Sequence, residues 1–107
     1  MLTIHTLDAE TVAVFGPVFV GVTAHLLATD LVAACRSRRD LRLDLARTRL
    51  LDTAGVGAIA LVAKTILAAG GRLTLSGLAG QPALLVRRIG LNHTLPCQFA
   101  DQDREVA

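Results

Sequence analysis

Seven consecutive residues, Leu51-Asp52-Thr53-Ala54-Gly55-Val56-Gly57, bring together an acid, a hydroxyl and small residues at one turn of this 107-residue chain. The turn leaves an apolar strand-like run and opens a long apolar helix-like run. It therefore lies at a helix N-terminus, where free backbone N–H groups and the helix dipole favour negative charge. Asp52 or Thr53 can cap that helix, a contribution of about 1 kcal/mol. Gly55 and Gly57 let another backbone come close. Such a turn can cap its own helix, dock a partner or carry a phosphoryl group.

The other chemistry-bearing residues are scattered. His5, His25 and His93 fall on three different elements without metal-ligand spacing. Cys35 lies on a stripe expected to face the core, a poor place for a nucleophile. Cys35 and Cys97 have no CxxC spacing and read as two free thiols of a reducing cytoplasm rather than a disulfide. No G-x-S-x-G, Walker A or dinucleotide-binding glycine pattern occurs, and Gly77-Leu78-Ala79-Gly80 is too short and lacks the P-loop lysine. The residues name no enzyme, no metal and no cofactor.

Composition narrows the classes further. The length suits one domain with one core. Hydrophobic residues make up 52% and aromatic residues 3%, so the core must be built from Leu, Val, Ile and Ala. With no Trp or Tyr there is no aromatic platform for stacking bases, and a net charge of +2 does not argue for nucleic acid. Six Arg lie between Arg36 and Arg49, interleaved with apolar residues, Asp40 and Asp44. They read as a solvated loop and strand edge, with acidic-surface or phosphate binding as the alternative. Met1–Glu10 lacks the basic start and apolar run of a signal peptide. No apolar segment reaches about 18 residues without a charge. Leu50–Ala69 comes near, but Asp52, Lys64 and glycines interrupt it. These features predict a soluble cytoplasmic protein.

The elements that must position the turn follow from periodicity. Leu2–Leu7 reads as an edge strand and Thr11–Phe15 as a central strand ended by Gly16-Pro17. Val18–Val22 is ambiguous. Thr23 can cap a helix over Ala24–Ser37 with Ala24, Leu27, Ala28, Leu31, Ala34 and Cys35 inward. Leu41, Leu43 and Leu45 alternate as a strand. The helix over Gly55–Ala69 turns Val56, Ile59, Ala60, Ala63, Ile66 and Leu67 inward. Its other side carries Ala58, Leu61, Thr65 and Ala68 with Lys64 as the only charge, and so invites a second surface: a partner, a second copy or another part of this chain. Gly70-Gly71 stops it. Arg72–Ser76 is a strand, Pro82 opens a short helix ending at Ile89-Gly90, and a short strand is expected around Thr94–Leu95. Residues 1–100 form the domain and 101–107 a frayed acidic tail. Alternating helices and strands from Thr23 onward predict an α/β fold, with parallel pairs joined by right-handed crossovers.

Four blocks in this order resemble a STAS domain. They are Leu43-Asp44-Leu45; Leu51-Asp52-Thr53-Ala54-Gly55-Val56-Gly57-Ala58-Ile59; Ala69-Gly70-Gly71-Arg72-Leu73-Thr74-Leu75; and Val86-Arg87-Arg88-Ile89-Gly90-Leu91. The resemblance implies a single domain with a mixed sheet of four or five strands, about three helices on one face, and no intrinsic catalysis. In the anti-sigma-factor antagonists of this family, the residue just before the turn glycine is usually Ser or Thr and is phosphorylated by a kinase that is also the anti-sigma factor. Here that position is Ala54, which has no hydroxyl. Thr53 is the one residue of the turn left for phosphorylation. A phosphate there gains from the helix dipole and loses from Asp52. Family members often carry a GELD-like segment after the second strand. Gly16-Pro17-Val18-Phe19 stands here, with Phe19 in place of the acid, which favours a more apolar interface.

The resemblance thus implies a non-catalytic regulatory module resembling an anti-sigma-factor antagonist. It would dock a partner through Asp52, Thr53, Ala54, Gly55, Val56, Ala58 and Leu61. The partner it implies is an anti-sigma factor of the serine-kinase class. The alternative is a MlaB-type subunit that regulates the ATPase of an ABC-type phospholipid transporter, since those subunits also carry an Asp-Thr-small-Gly turn. A homodimer burying the apolar helix face is a third reading. None requires direct nucleic-acid binding or membrane insertion.

Overall fold

The computed structural model describes residues 2–7, 10–34 and 40–100. Strands β1 (Leu2–Leu7) and β2 (Glu10–Phe15) pair antiparallel. Gly16-Pro17 ends β2, and a two-residue strand β3 (Val18–Phe19) leads into helix α1 (Gly21–Ala34). Strand β4 (Asp40–Asp44) returns parallel to β2. A second short strand, β5 (Leu50–Leu51), pairs parallel with β3 and leads into helix α2 (Thr53–Ala68). Strand β6 (Leu73–Leu78), helix α3 (Gly80–Ile89), a 3-10 turn at Leu91–His93 and strand β7 (Cys97–Phe99) complete the described chain.

The main sheet has the order β1-β2-β4-β6-β7, four parallel strands with an antiparallel edge, and β3 with β5 forms a separate ribbon. From β2 to β7 every crossover steps the same way across the sheet. Right-handed connections therefore place α1, α2 and α3 on one face. Alternation along the strands builds the core beneath them. Leu41, Leu43, Leu73 and Leu75 are buried while Arg42, Asp44 and Thr74 are half-buried. The helices contribute Ala24, Ala28 and Leu31, then Ile59, Val62 and Ile66, then Ala83 and Val86, to a single aliphatic cluster. Two of the three Phe, Phe15 and Phe19, meet edge to face with ring centroids 4.4 Å apart.

Several expectations need correction. Helix α1 begins at Gly21, so Thr23 lies inside its first turn, exposed, and is not its cap. The group that holds this helix start comes from elsewhere, as described below. The expected end at Ser37, and Cys35 with it, lie outside the described residues, as do the tail 101–107 and the first half of the arginine run. The last strand is Cys97–Phe99 rather than Thr94–Leu95. Leu95 N–H bonds back to Leu91 O at 3.0 Å and its side chain is buried, so the backbone joins the sheet only from Pro96, whose carbonyl accepts Leu75 N–H at 2.9 Å. Gly70, at φ 87, ends α2 as expected.

Helix α2 is also rotated relative to the predicted stripe. Val56, Ile59, Ala63 and Ile66 are buried, but Ala60 and Leu67 are exposed, and Ala58 and Val62 are buried instead. Helix α1 packs along α2, which is therefore covered on two sides, by the sheet and by its neighbour. The outer face left over carries Ala54, Gly57, Ala60, Leu61, Leu67 and Ala68, with Lys64 as its only charge.

Candidate functional site

Strand β5 carries the chain into the turn. The N–H groups of Arg49 and Leu50 both donate to Pro17 O, at 2.8 and 3.1 Å, and the hydroxyl of Thr48 donates to Gly16 O at 2.9 Å. These bonds fasten the β4–β5 connection to the end of β2. Leu51 points into the core and Leu50 outward. Its cross-strand partner Val18 also points outward, so two apolar side chains, each 48% exposed, stand side by side next to the turn. The other edge of β5 meets a side chain. Leu51 N–H donates to Gln81 Oε1 at 2.9 Å, and Gln81 Nε2 donates to Leu51 O at 2.7 Å.

Asp52 follows in an extended conformation, φ −117 and ψ −176, which suits an N-cap. Its Oδ1 accepts Gly55 N–H at 2.8 Å. Its Oδ2 accepts Gly21 N–H, the first residue of α1, at 3.2 Å. One half-buried carboxylate thus holds the starts of two helices, and each start places partial positive charge against it. Gly55 is where α2 approaches the ribbon. A Cβ there would collide with the Phe19 carbonyl oxygen and lie 2.6 Å from Leu51 Cδ1. Among the described residues nothing lies within 4 Å of the corresponding point at Gly57, so of the two glycines it is Gly55 that shows the close approach there.

The seven predicted site residues divide. Thr53 and Ala54 are exposed, Leu61 is 41% exposed and Asp52 is half-buried with its carboxylate engaged. Gly55, Val56 and Ala58 are buried. Ala58 is only 4% exposed, so the expectation that it faces outward is corrected. Thr65, half-buried, spends its hydroxyl on Leu61 O at 3.1 Å. Phe19 is 1% exposed and belongs to the core. The apolar character expected there is supplied at the surface by Val18 and Leu50.

Sequence reasoning missed that pair because a two-residue strand shows no alternation. It missed Gln81 because nothing local to Gly80-Gln81-Pro82 signals a reach to Leu51. Arg47 and Arg49, in the connection that leads into Leu50, are exposed. The remaining candidates stay apart. His25 and His93 are exposed on different elements, and among the described residues no group of three or more His, Cys, Asp and Glu could hold a metal ion. Cys97 is a free, half-buried thiol that donates to Leu95 O at 3.3 Å, and burial pushes its pKa up. No helix among the described residues is long and apolar enough to cross a membrane. What the turn presents is an exposed threonine side chain on a firmly tied frame.

A family model described as Mlab, STAS domain matches residues 6–96. No curated protein sequence matches the chain significantly. Among solved structures, that of a candidate anti-sigma factor antagonist from Thermotoga maritima superposes with a TM-score of 0.77, covering 97% of this chain and 91% of that one at 14% identity. The anti-sigma factor antagonist SpoIIAA in its unphosphorylated form gives 0.70 over 99% of this chain and 94% of that one at 12% identity. The Bacillus SpoIIAA in its phosphorylated form gives 0.68 over 99% and 96% at 12% identity. Identities this low establish a shared fold and leave function to the site.

Proposed function

Because the chain belongs to the STAS domain family, matching its model over residues 6–96, we propose that it is a non-catalytic cytoplasmic docking module that binds one protein partner through the exposed start of α2. The observation that carries this reading is the exposure of Thr53 and Ala54 side by side on a turn where the Leu51 backbone and the Asp52 carboxylate are both engaged. The chain acts as an anti-sigma-factor antagonist, and its partner is an anti-sigma factor of the serine-kinase class. Ala54 offers no hydroxyl, so a phosphate at the usual position cannot govern partner exchange. Thr53 is the only acceptor the turn retains.

A second reading has its own support. The matching family model is described as MlaB, and the resemblance gives MlaB-type subunits an Asp-Thr-small-Gly turn like Asp52-Thr53-Ala54-Gly55. In that reading the same surface docks the ATPase of an ABC-type phospholipid transporter. Affinity capture with the tagged full chain from native cytoplasm, followed by mass identification, separates the two. A kinase-like anti-sigma factor is expected, and an ABC ATPase in its place would establish the second reading. Capture undiminished by Thr53→Asp would remove the turn as the docking site in either.

A further inference from the structure

We infer that Gln81 is the positioning residue of the docking turn, and that a relay of hydrogen bonds through it ties the starts of all three helices to one another. The inference rests on the docking reading for its functional consequence and on geometry for everything else.

The first link is the Gln81 amide. From the first turn of α3 it accepts Leu51 N–H at 2.9 Å and donates to Leu51 O at 2.7 Å. Those are the two bonds that a neighbouring strand residue would make to Leu51. Strand β5 has β3 on one edge, so Gln81 occupies the edge that would otherwise present open backbone groups. Gln81 is itself exposed, so packing does not hold its amide in place; the paired bonds do. Leu51 contributes the second link. Its side chain is 1% exposed in the core, so fixing its backbone fixes where the chain leaves the ribbon. Asp52 is the third link, holding Gly55 of α2 at 2.8 Å and Gly21 of α1 at 3.2 Å.

Thr53 and Ala54 are therefore presented at an angle set jointly by α1, α3 and the ribbon. Leu84, one turn after Gln81 and 62% exposed, is carried on the same frame. Without Gln81, α2 keeps its own cap, but the turn loses its tie to α3.

Amide hydrogen exchange by NMR on the full chain tests the relay. Gln81→Met keeps the side-chain length and removes both bonds, while Gln81→Glu keeps the acceptor and loses the donor. Exchange at Leu51, Gly55 and Gly21 should rise about tenfold in Gln81→Met and less in Gln81→Glu. Leu43 and Leu75 in the sheet should keep their wild-type rates. Unchanged Gly55 and Gly21 amides would overturn the inference, because the clamp would end at Leu51. Equal acceleration of Leu43 and Leu75 would overturn it too, because Gln81 would then merely stabilise the fold. Partner capture by the same variants separates this result from the docking reading. Faster exchange at the three amides with capture intact supports the relay and removes the turn as the docking site.

Discussion

The carboxylate of Asp52 accepts the backbone N–H of Gly21, 31 positions earlier in the chain, at 3.2 Å. The same carboxylate accepts Gly55 N–H at 2.8 Å, so it caps one helix locally and another from a distance. Helix α1 has no acidic residue in its first turn, and Thr23 lies inside the helix. Asp52 therefore supplies to α1 what its own sequence lacks.

Removing that carboxylate should cost two caps. Asp52→Ala is expected to lose about 2 kcal/mol, about 1 for each helix start. In a domain of this size that lowers the Tm by about 8–16 °C. Asp52→Asn keeps an oxygen acceptor and should lose less. Thermal and urea unfolding of the three proteins measure it, and an Asp52→Ala loss no larger than that of an ordinary surface substitution would mean that the Gly21 bond contributes nothing.

The two glycines of the turn should respond in opposite directions. Gly55→Ala drives a methyl group toward the Phe19 carbonyl and Leu51 Cδ1. It should cost about 1–3 kcal/mol, as overpacking does. Gly57→Ala places a methyl group in open space on a helix and should gain up to about 1 kcal/mol from helix propensity. If a partner lies close to Gly57, the same substitution weakens its binding while raising the Tm. Equilibrium unfolding alongside a binding assay reads both effects.

Long elements and single-chain motifs were legible in the sequence; long-range ties were not. The Leu41-Leu43-Leu45 alternation and the Gly70-Gly71 stop follow from periods and backbone preferences that act within a few residues. The turn was legible for the same reason, because a capping acid before an apolar helical run is a local signal. Ala58 and Leu67 exchanged places because the period shows that a second surface covers α2 but not the angle at which it packs, and α1 of this same chain supplies part of that surface. An alanine is equally at home inside and outside, so its type could not reveal the rotation. Gln81 and Gly21 contribute through contacts 30 and 31 positions distant, which no local pattern encodes.

Cys97 should make stability fall at alkaline pH. Burial raises its pKa in the folded chain, so the folded state holds the thiol proton more tightly than the unfolded state does. Its contribution is full below the ordinary thiol range, about pH 8 and lower, and is lost as pH rises through the folded value. Cys97→Ala should remove that part of the decline. Urea midpoints of both proteins between neutral and alkaline pH measure it, and parallel declines would exclude Cys97 as the cause.

Three arginine substitutions on α2 should separate docking from folding. Ala58 is 4% exposed, so Ala58→Arg must bury a charge or push apart the packing around it, and a loss of about 3 kcal/mol or more in stability is expected. Leu61 is 41% exposed and lies two turns beyond Ala54 on the same face. Leu61→Arg should keep the wild-type Tm within a few degrees and weaken partner binding about tenfold or more if the docking surface runs down α2. Leu67, 54% exposed, lies nearly two turns further from Thr53, and Leu67→Arg should leave both properties unchanged. Binding isotherms of the captured partner against the Leu61 and Leu67 variants decide the extent of the surface. Equal affinity for Leu61→Arg and wild type would confine docking to the start of α2 and the Val18–Leu50 pair beside it. A Leu50→Arg variant would then be the one expected to lose the partner.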